Sequence, residues 1–174
     1  MARIKNTKTP FGIDFGVGDV IVPKQEKRQI PTQLDDFSAP TINTYSLETT
    51  IAEKIDAILS LMEFSSRMKD YYDIYYLANK FDFDGATLTE ALRKTFKNRG
   101  HAFTVEQFEQ VMAFDGEEAM QKKWKAFCRK IDTKTADFNT VLKTIKEFLV
   151  EPFMAAVENK EFEEKWTTLE SKWH

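Results

Sequence analysis

Cysteine is nearly absent from this chain. Cys128 is the only one, so no internal disulfide can form, and the usage fits a reducing compartment. Histidine is almost as scarce: His101 and His174, sharing a single thiol, cannot assemble a Cys/His zinc site. No uninterrupted apolar run approaches the roughly 20 residues needed to cross a bilayer. The opening Met1-Ala-Arg-Ile-Lys5 lacks the hydrophobic region of a secretion signal. The cytoplasm is therefore the expected compartment, with no membrane partner. A basic excess is missing too: 25 Lys and Arg against 28 Asp and Glu leave a formal charge of −3. That argues against a general nucleic-acid-coating protein, though not against a local basic groove. What is present is 42% hydrophobic and 13% aromatic content in 174 residues, enough for one sizeable core. The 30% charged content supplies solvated outer faces.

The pattern predicts an α+β chain, predominantly helical. The first 22 residues read as the β segment: Phe11-Gly-Ile-Asp-Phe-Gly-Val-Gly-Asp-Val-Ile-Val22 alternates apolar residues with Gly and Asp and stops at Pro23. Residues 24–44 are polar and punctuated by proline, and are predicted to run as an extended connection with little regular structure. Residues 1–44 thus form a partial β segment with its connection, and residues 45–174 a helical domain packed with it as one unit. Leu47, Ile51, Ile55, Ile58, Leu59 and Met62 recur at helical spacing behind Ser46, a good N-cap. A second helix is predicted after Ser65-Ser66, carrying Met68, Tyr71, Ile74, Tyr75 and Ala78. Thr87…Glu90 and Thr104…Gln107 have capping-box spacing, and Gly100 should stop the helix between them. Further amphipathic helices are predicted over 116–131 and from Asp137, the latter broken or kinked at Pro152. Phe162, Trp166, Leu169 and Trp173 read as a last helical stripe.

Three places carry polar groups where the apolar pattern would not ask for them. Lys54 falls at the edge of the first helical stripe, either snorkelling over the rim or meeting a ligand. Asp70 projects between Ile74 and Leu77, with Asp73 one turn on; two such carboxylates need a nearby cation. Lys54, Arg67, Lys69 or a metal could supply it, or Asp70 could simply pair with Arg67 at i,i+3. Asp14 is flanked by Ile13 and Phe15, with Gly16 and Gly18 permitting close backbone approach and Asp19 beyond. It either points to solvent from a half-buried strand or faces a site.

Three blocks then coincide in order and spacing. Ile13-Asp-Phe-Gly-Val-Gly-Asp-Val-Ile-Val-Pro23 is similar to the "IDIGFGD" strand of the AbiEii/AbiGii toxin family. Tyr45-Ser-Leu-Glu-Thr-Thr-Ile-Ala-Glu-Lys-Ile-Asp-Ala57 resembles its "YSLE…AEK…A" helix, and Ser66-Arg-Met-Lys-Asp-Tyr-Tyr-Asp-Ile74 its "SRMKDFYD" helix. Thr95-Phe-Lys-Asn-Arg-Gly100 and the tail with Trp124, Trp166 and Trp173 also fit, so the resemblance covers essentially the whole chain. It implies the DNA polymerase β-like nucleotidyltransferase fold, here a short β remnant of its sheet followed by a helical bundle. It implies a toxin of a toxin–antitoxin or phage-defence system that uses an NTP and Mg²⁺, with a cognate antitoxin as partner. By the same resemblance Asp14, Lys54 and Asp70 would be catalytic. Lys54 would meet the phosphates with Arg67, Lys69 and Asp73 beside it, and Asp14 and Asp19 would be the metal carboxylates. Such types suit in-line nucleotidyl transfer, where catalysis is largely positioning and electrostatic stabilisation around two Mg²⁺ ions with hard oxygen ligands.

The family's first motif, a Gly-Ser turn followed by an Asp-x-Asp strand, should precede Asp14, yet only 13 residues do so. The one Asp-x-Asp, Asp82-Phe-Asp84, comes after the tyrosine-rich helix and is predicted to be a turn. The expectation is a truncated product or a second polypeptide that supplies the other carboxylates. An unpaired Asp14 strand would then invite a homo-dimer. The rival reading is a non-catalytic interaction domain that binds an antitoxin or itself. A helical nucleic-acid-binding module is weakest, given the acidic balance.

Overall fold

The computed structural model describes every residue except 1, 5, 6, 11, 13–17, 65, 66 and 132–135. Six α-helices are present among the described residues: α1 (Leu47–Leu61), α2 (Met68–Lys80), α3 (Gly85–Arg99), α4 (Val105–Met112), α5 (Glu118–Lys130) and α6 (Phe138–Val157). Strands β1 (Ala2–Ile4) and β2 (Thr7–Thr9), β3 (Glu26–Gln29) and β4 (Thr41–Thr44), and β5 (Phe83–Asp84), β6 (Lys165–Thr167) and β7 (Lys172–Trp173) form three small antiparallel sheets. The predominantly helical α+β class is what the sequence predicts.

α6 runs through the middle. Its 3.6-residue pattern buries Phe138, Val141, Leu142, Ile145, Phe148, Leu149 and Phe153, while α2, α3 and α4 lie against it. α1 lies against α3 and α2 and buries Ile51, Ile55, Ile58 and Leu59. Ser46 caps α1 as expected, its hydroxyl accepting from Thr49 N at 3.1 Å. Asp137 caps α6 by accepting from Thr140 N at 2.9 Å, and the Thr104–Gln107 capping box is complete.

Several expectations need correction. The α3 cap is Asp84, not Thr87: its carboxylate accepts from Thr87 N at 2.9 Å, so the helix starts at Gly85. Asp82-Phe-Asp84 is accordingly no plain turn, since Phe83 and Asp84 pair with Trp166 and Lys165. Residues 24–44 are more ordered at their ends than expected: β3 and β4 pair from Glu26↔Thr44 to Gln29↔Thr41, while residues 30–40 between them carry no helix or strand. The β segment expected in the first 22 residues holds the paired strands β1 and β2 but no strand at 18–22, while residue 11 and residues 13–17 lie outside the described set.

The tail is the largest departure. Instead of a helix, β6 and β7 form a hairpin that buries Trp166 and leaves Leu169 fully solvated. A spacing of three to four residues fits a helix face, but it also fits a short hairpin closed by a four-residue turn. Gly85 is needed where this tail crosses α3. A Cβ there would stand 2.6 Å from the Glu164 carbonyl, to which Gly85 N donates at 2.8 Å. Pro152, finally, lies inside α6 without ending it. Proline removes the N–H that would have met the carbonyl four residues back. That carbonyl, Phe148 O, instead accepts from Trp173 Nε1 at 3.0 Å, so the tail hairpin satisfies what the proline left open.

Candidate phosphate-binding site between α1, α2 and α3

The start of α1 ties the N-terminal segment to the bundle. Thr49 Oγ1 accepts from Val22 N at 2.8 Å, and the Ser46 hydroxyl donates to Val22 O. Asn98 Nδ2 donates to Gly18 O at 3.0 Å from the end of α3. Between these anchors Asp19 accepts a hydrogen bond from the Tyr45 hydroxyl. That bond, then burial and the Asp19 charge, hold the Tyr45 phenol neutral and push its pKa up to about 12 from the ordinary 10.0. A raised folded pKa favours the neutral form, so its stabilising contribution is intact below pH 10 and is lost as pH rises towards 12. An ultraviolet titration of wild type minus Tyr45→Phe should show one tyrosinate forming near pH 12. Ionisation at the ordinary value would show that the Asp19 contact is not made in solution.

α2 runs beside α1 and brings its carboxylates to Lys54. Lys54 Nζ lies 3.0 Å from Asp70 Oδ1 and 2.6 Å from Asp73 Oδ2. Asp70 also meets Arg67 Nε at 2.8 Å, and Asp73 meets Lys69 Nζ at 2.5 Å. Both readings of Asp70 are thus realised together: it pairs with Arg67 at i,i+3 and with the lysine of the neighbouring helix. The side chains of Lys54 and Asp70 are 17% and 9% exposed, whereas Arg67 and Lys69 reach well into solvent. Burial draws the Lys54 pKa down, but hydrogen bonds to Asp73 and Asp70 outweigh it, and the ammonium ends above the usual lysine value. Lys54 is a fixed, fully charged cation at any physiological pH.

Lys54, Arg67 and Asp70 line a cavity of about 260 Å³ that continues past Glu53 and Arg99 to Tyr45. A larger cavity, about 530 Å³, lies beside α5 and the start of α6 around Trp124, Cys128 and Phe138. It contains none of the candidate residues.

Of the residues singled out from the sequence, the structure brings together Lys54, Asp70, Asp73, Arg67 and Lys69. Asp19 stands at the Tyr45 end, and Asp14 lies outside the described residues. Tyr45, Glu53 and Arg99 were not singled out, although each sits inside a quoted motif block. Asp56 and His101 were missed as well. Asp56 is buried on the apolar stripe of α1 between Ala52 and Leu59, and His101 Nδ1 lies 2.8 Å from its Oδ1. A carboxylate on that stripe was the available signal.

The described residues do not fit a Mg²⁺ ion. No group of three His, Cys, Asp or Glu among them could hold a metal. Asp70 and Asp73 are already matched by three cations, and Asp19 is a single carboxylate engaged by Tyr45.

A partly buried lysine held by two carboxylates thus opens on a cavity that two arginines also line. The family model described as nucleotidyl transferase AbiEii toxin, type IV TA system, matches residues 2–167, and the chain belongs to that family of nucleotidyltransferase-type toxins. No curated protein and no solved structure gave a match. Among the described residues no helix is long and apolar enough to cross a membrane.

Proposed function

We propose that this chain forms the nucleotide-binding side of a nucleotidyltransferase toxin, taking the phosphates of an NTP at Lys54. The carrying observation is the Lys54 ammonium, held by Asp70 and Asp73 at the edge of a cavity that Arg67 and Arg99 also line. Holding a cation in place before the ligand arrives removes the reorganisation cost when charge develops on a transferring phosphoryl centre. In this reading Lys54 neutralises phosphate charge, Asp70 and Asp73 position Lys54, and Arg67 adds a second cation at the rim. The nucleotidyl acceptor would approach from the open side of the same cavity.

Isothermal titration with each of the four NTPs, with and without Mg²⁺, tests the reading. Binding by the wild-type chain is expected, weakened about tenfold or more in Lys54→Ala, as suits loss of a charge-assisted contact. A folded wild-type sample that takes up no NTP would sink it. A second reading, a non-catalytic domain that binds a protein partner such as an antitoxin, draws support from Ile30, Leu34, Phe37 and Ile42, exposed on the β3–β4 hairpin and its connection. The same titration separates the two, because a pure interaction domain has no use for NTP.

A further inference from the structure

Arg99 has no role in the reading of the sequence, and its surroundings are unusual for a surface arginine. It is the last residue of α3, and Gly100, at φ +69°, turns the chain there in the left-handed conformation. His101 N returns to Phe96 O at 2.9 Å, closing the turn. The turn sets both Arg99 and His101 against α1. The Arg99 guanidinium pairs with Glu53 through Nη2 and stands 3.7 Å from buried Asp56 through Nε, while His101 holds the other Asp56 oxygen. Neither of these contacts uses Nη1. The Glu53 side chain is only 15% exposed, so a carboxylate has been largely desolvated to keep Arg99 where it is. Arg99 and Glu53 both line the cavity that contains Lys54.

An arginine braced by two carboxylates of one helix, with donors to spare, is suited to bidentate capture of an oxyanion. We propose that Arg99 is a second phosphate-binding residue of this cavity and that Glu53 is its internal competitor, occupying the guanidinium until a polyphosphate displaces it. The proposal rests on the triphosphate reading of the Lys54 cavity and adds to it a residue and a sign. Lys54 would meet one part of the phosphate chain and Arg99 another. The Glu53–Arg99 pair would loosen as the ligand's oxygens replace the glutamate's, while Asp56 and His101 keep the α3 turn in position.

Glu53 and Arg99 variants should then move affinity in opposite directions. With inorganic tripolyphosphate and ATP as probes on the full chain, Arg99→Gln should weaken binding about tenfold. Arg99→Lys, which keeps the charge but loses the fork, should fall between it and wild type. Glu53→Gln should tighten binding about threefold or more, because it removes both the competitor and a negative charge from the cavity. A merely structural bridge predicts something else: both variants lose thermal stability and neither changes affinity. That outcome, or weaker binding in Glu53→Gln, overturns the proposal even if Arg99→Gln fails to fold. If wild type binds and Lys54→Ala loses binding while the Arg99 and Glu53 variants do not change it, the inference fails and the triphosphate reading stands. If wild type binds neither probe, both fall.

Discussion

Replacing Trp166 by alanine should cost about 3–5 kcal/mol, the range for truncating a buried aromatic. Trp166 is 1% exposed although it belongs to a short strand near the end of the chain. Its ring meets Phe148 edge-on at 4.9 Å and Trp173 at 5.6 Å, and its Nε1 donates to Ala78 O at 2.8 Å. The tail hairpin is therefore a plug between α2 and α6. Alanine would open a cavity against α6 and strip the Ala78 carbonyl of its buried partner, and both losses act in the same direction. Since domains are commonly stable by about 5–15 kcal/mol, the loss would remove a large share of the total. Trp173→Phe is the calibrating variant. It keeps a ring stacked on Phe148 but removes the donor to the carbonyl opposite Pro152, for an expected cost of about 1–3 kcal/mol. Urea unfolding of the two variants checks the order. A Trp166→Ala midpoint within error of wild type would mean that the tail is not packed on the bundle in solution.

These tryptophans also show where sequence reasoning stops. α1, α2 and α6 were legible because their apolar periodicity is long, with strong caps at Ser46 and Asp137 for α1 and α6, and Lys54 and Asp70 stood out as polar groups at the stripe edge. What periodicity cannot reveal is a partner on another element. Trp166 and Trp173 repeat at helical spacing, yet the positions are set by the backbone carbonyls of Ala78 and Phe148, which the local pattern does not contain. The same holds for Pro152, whose disruptive effect is cancelled by a residue 21 positions away. At the candidate site the sequence singled out one cation pocket, Lys54 with the α2 carboxylates. The half built by Glu53 and Arg99 depends on α1 meeting the α3 turn, a tertiary fact. The resemblance to the AbiEii family, read from three motif blocks, singled out Lys54 and Asp70 but left Arg99 inside a block without a stated role.

Asp70→Ala should destabilise the protein by about 3 kcal/mol, and Lys54→Ala by only about 1 kcal/mol, although the two residues touch. The asymmetry follows from how the charges are shared. Removing Lys54 leaves each carboxylate with a cation: Asp70 keeps Arg67 at 2.8 Å and Asp73 keeps Lys69 at 2.5 Å. Removing Asp70 leaves the half-buried Lys54 ammonium to compete with Lys69 for Asp73 alone, and takes from Arg67 its helix-start partner. An uncompensated buried charge is the costlier defect, which places Asp70→Ala at the low end of the usual range because Asp73 still gives partial relief. pH supplies an independent check. The Lys54 pKa is raised in the folded state, so its contribution is intact below the ordinary lysine value of 10.5 and declines as pH rises through the higher folded value. Wild type should therefore lose its advantage over Lys54→Ala only in that alkaline window. Urea midpoints for Asp70→Ala, Lys54→Ala and the double variant complete the test. Equal losses for the two single variants would mean that Arg67 and Lys69 do not share the carboxylates. The expected inequality makes Lys54→Ala a folded probe whose loss of NTP binding reports on the cavity itself.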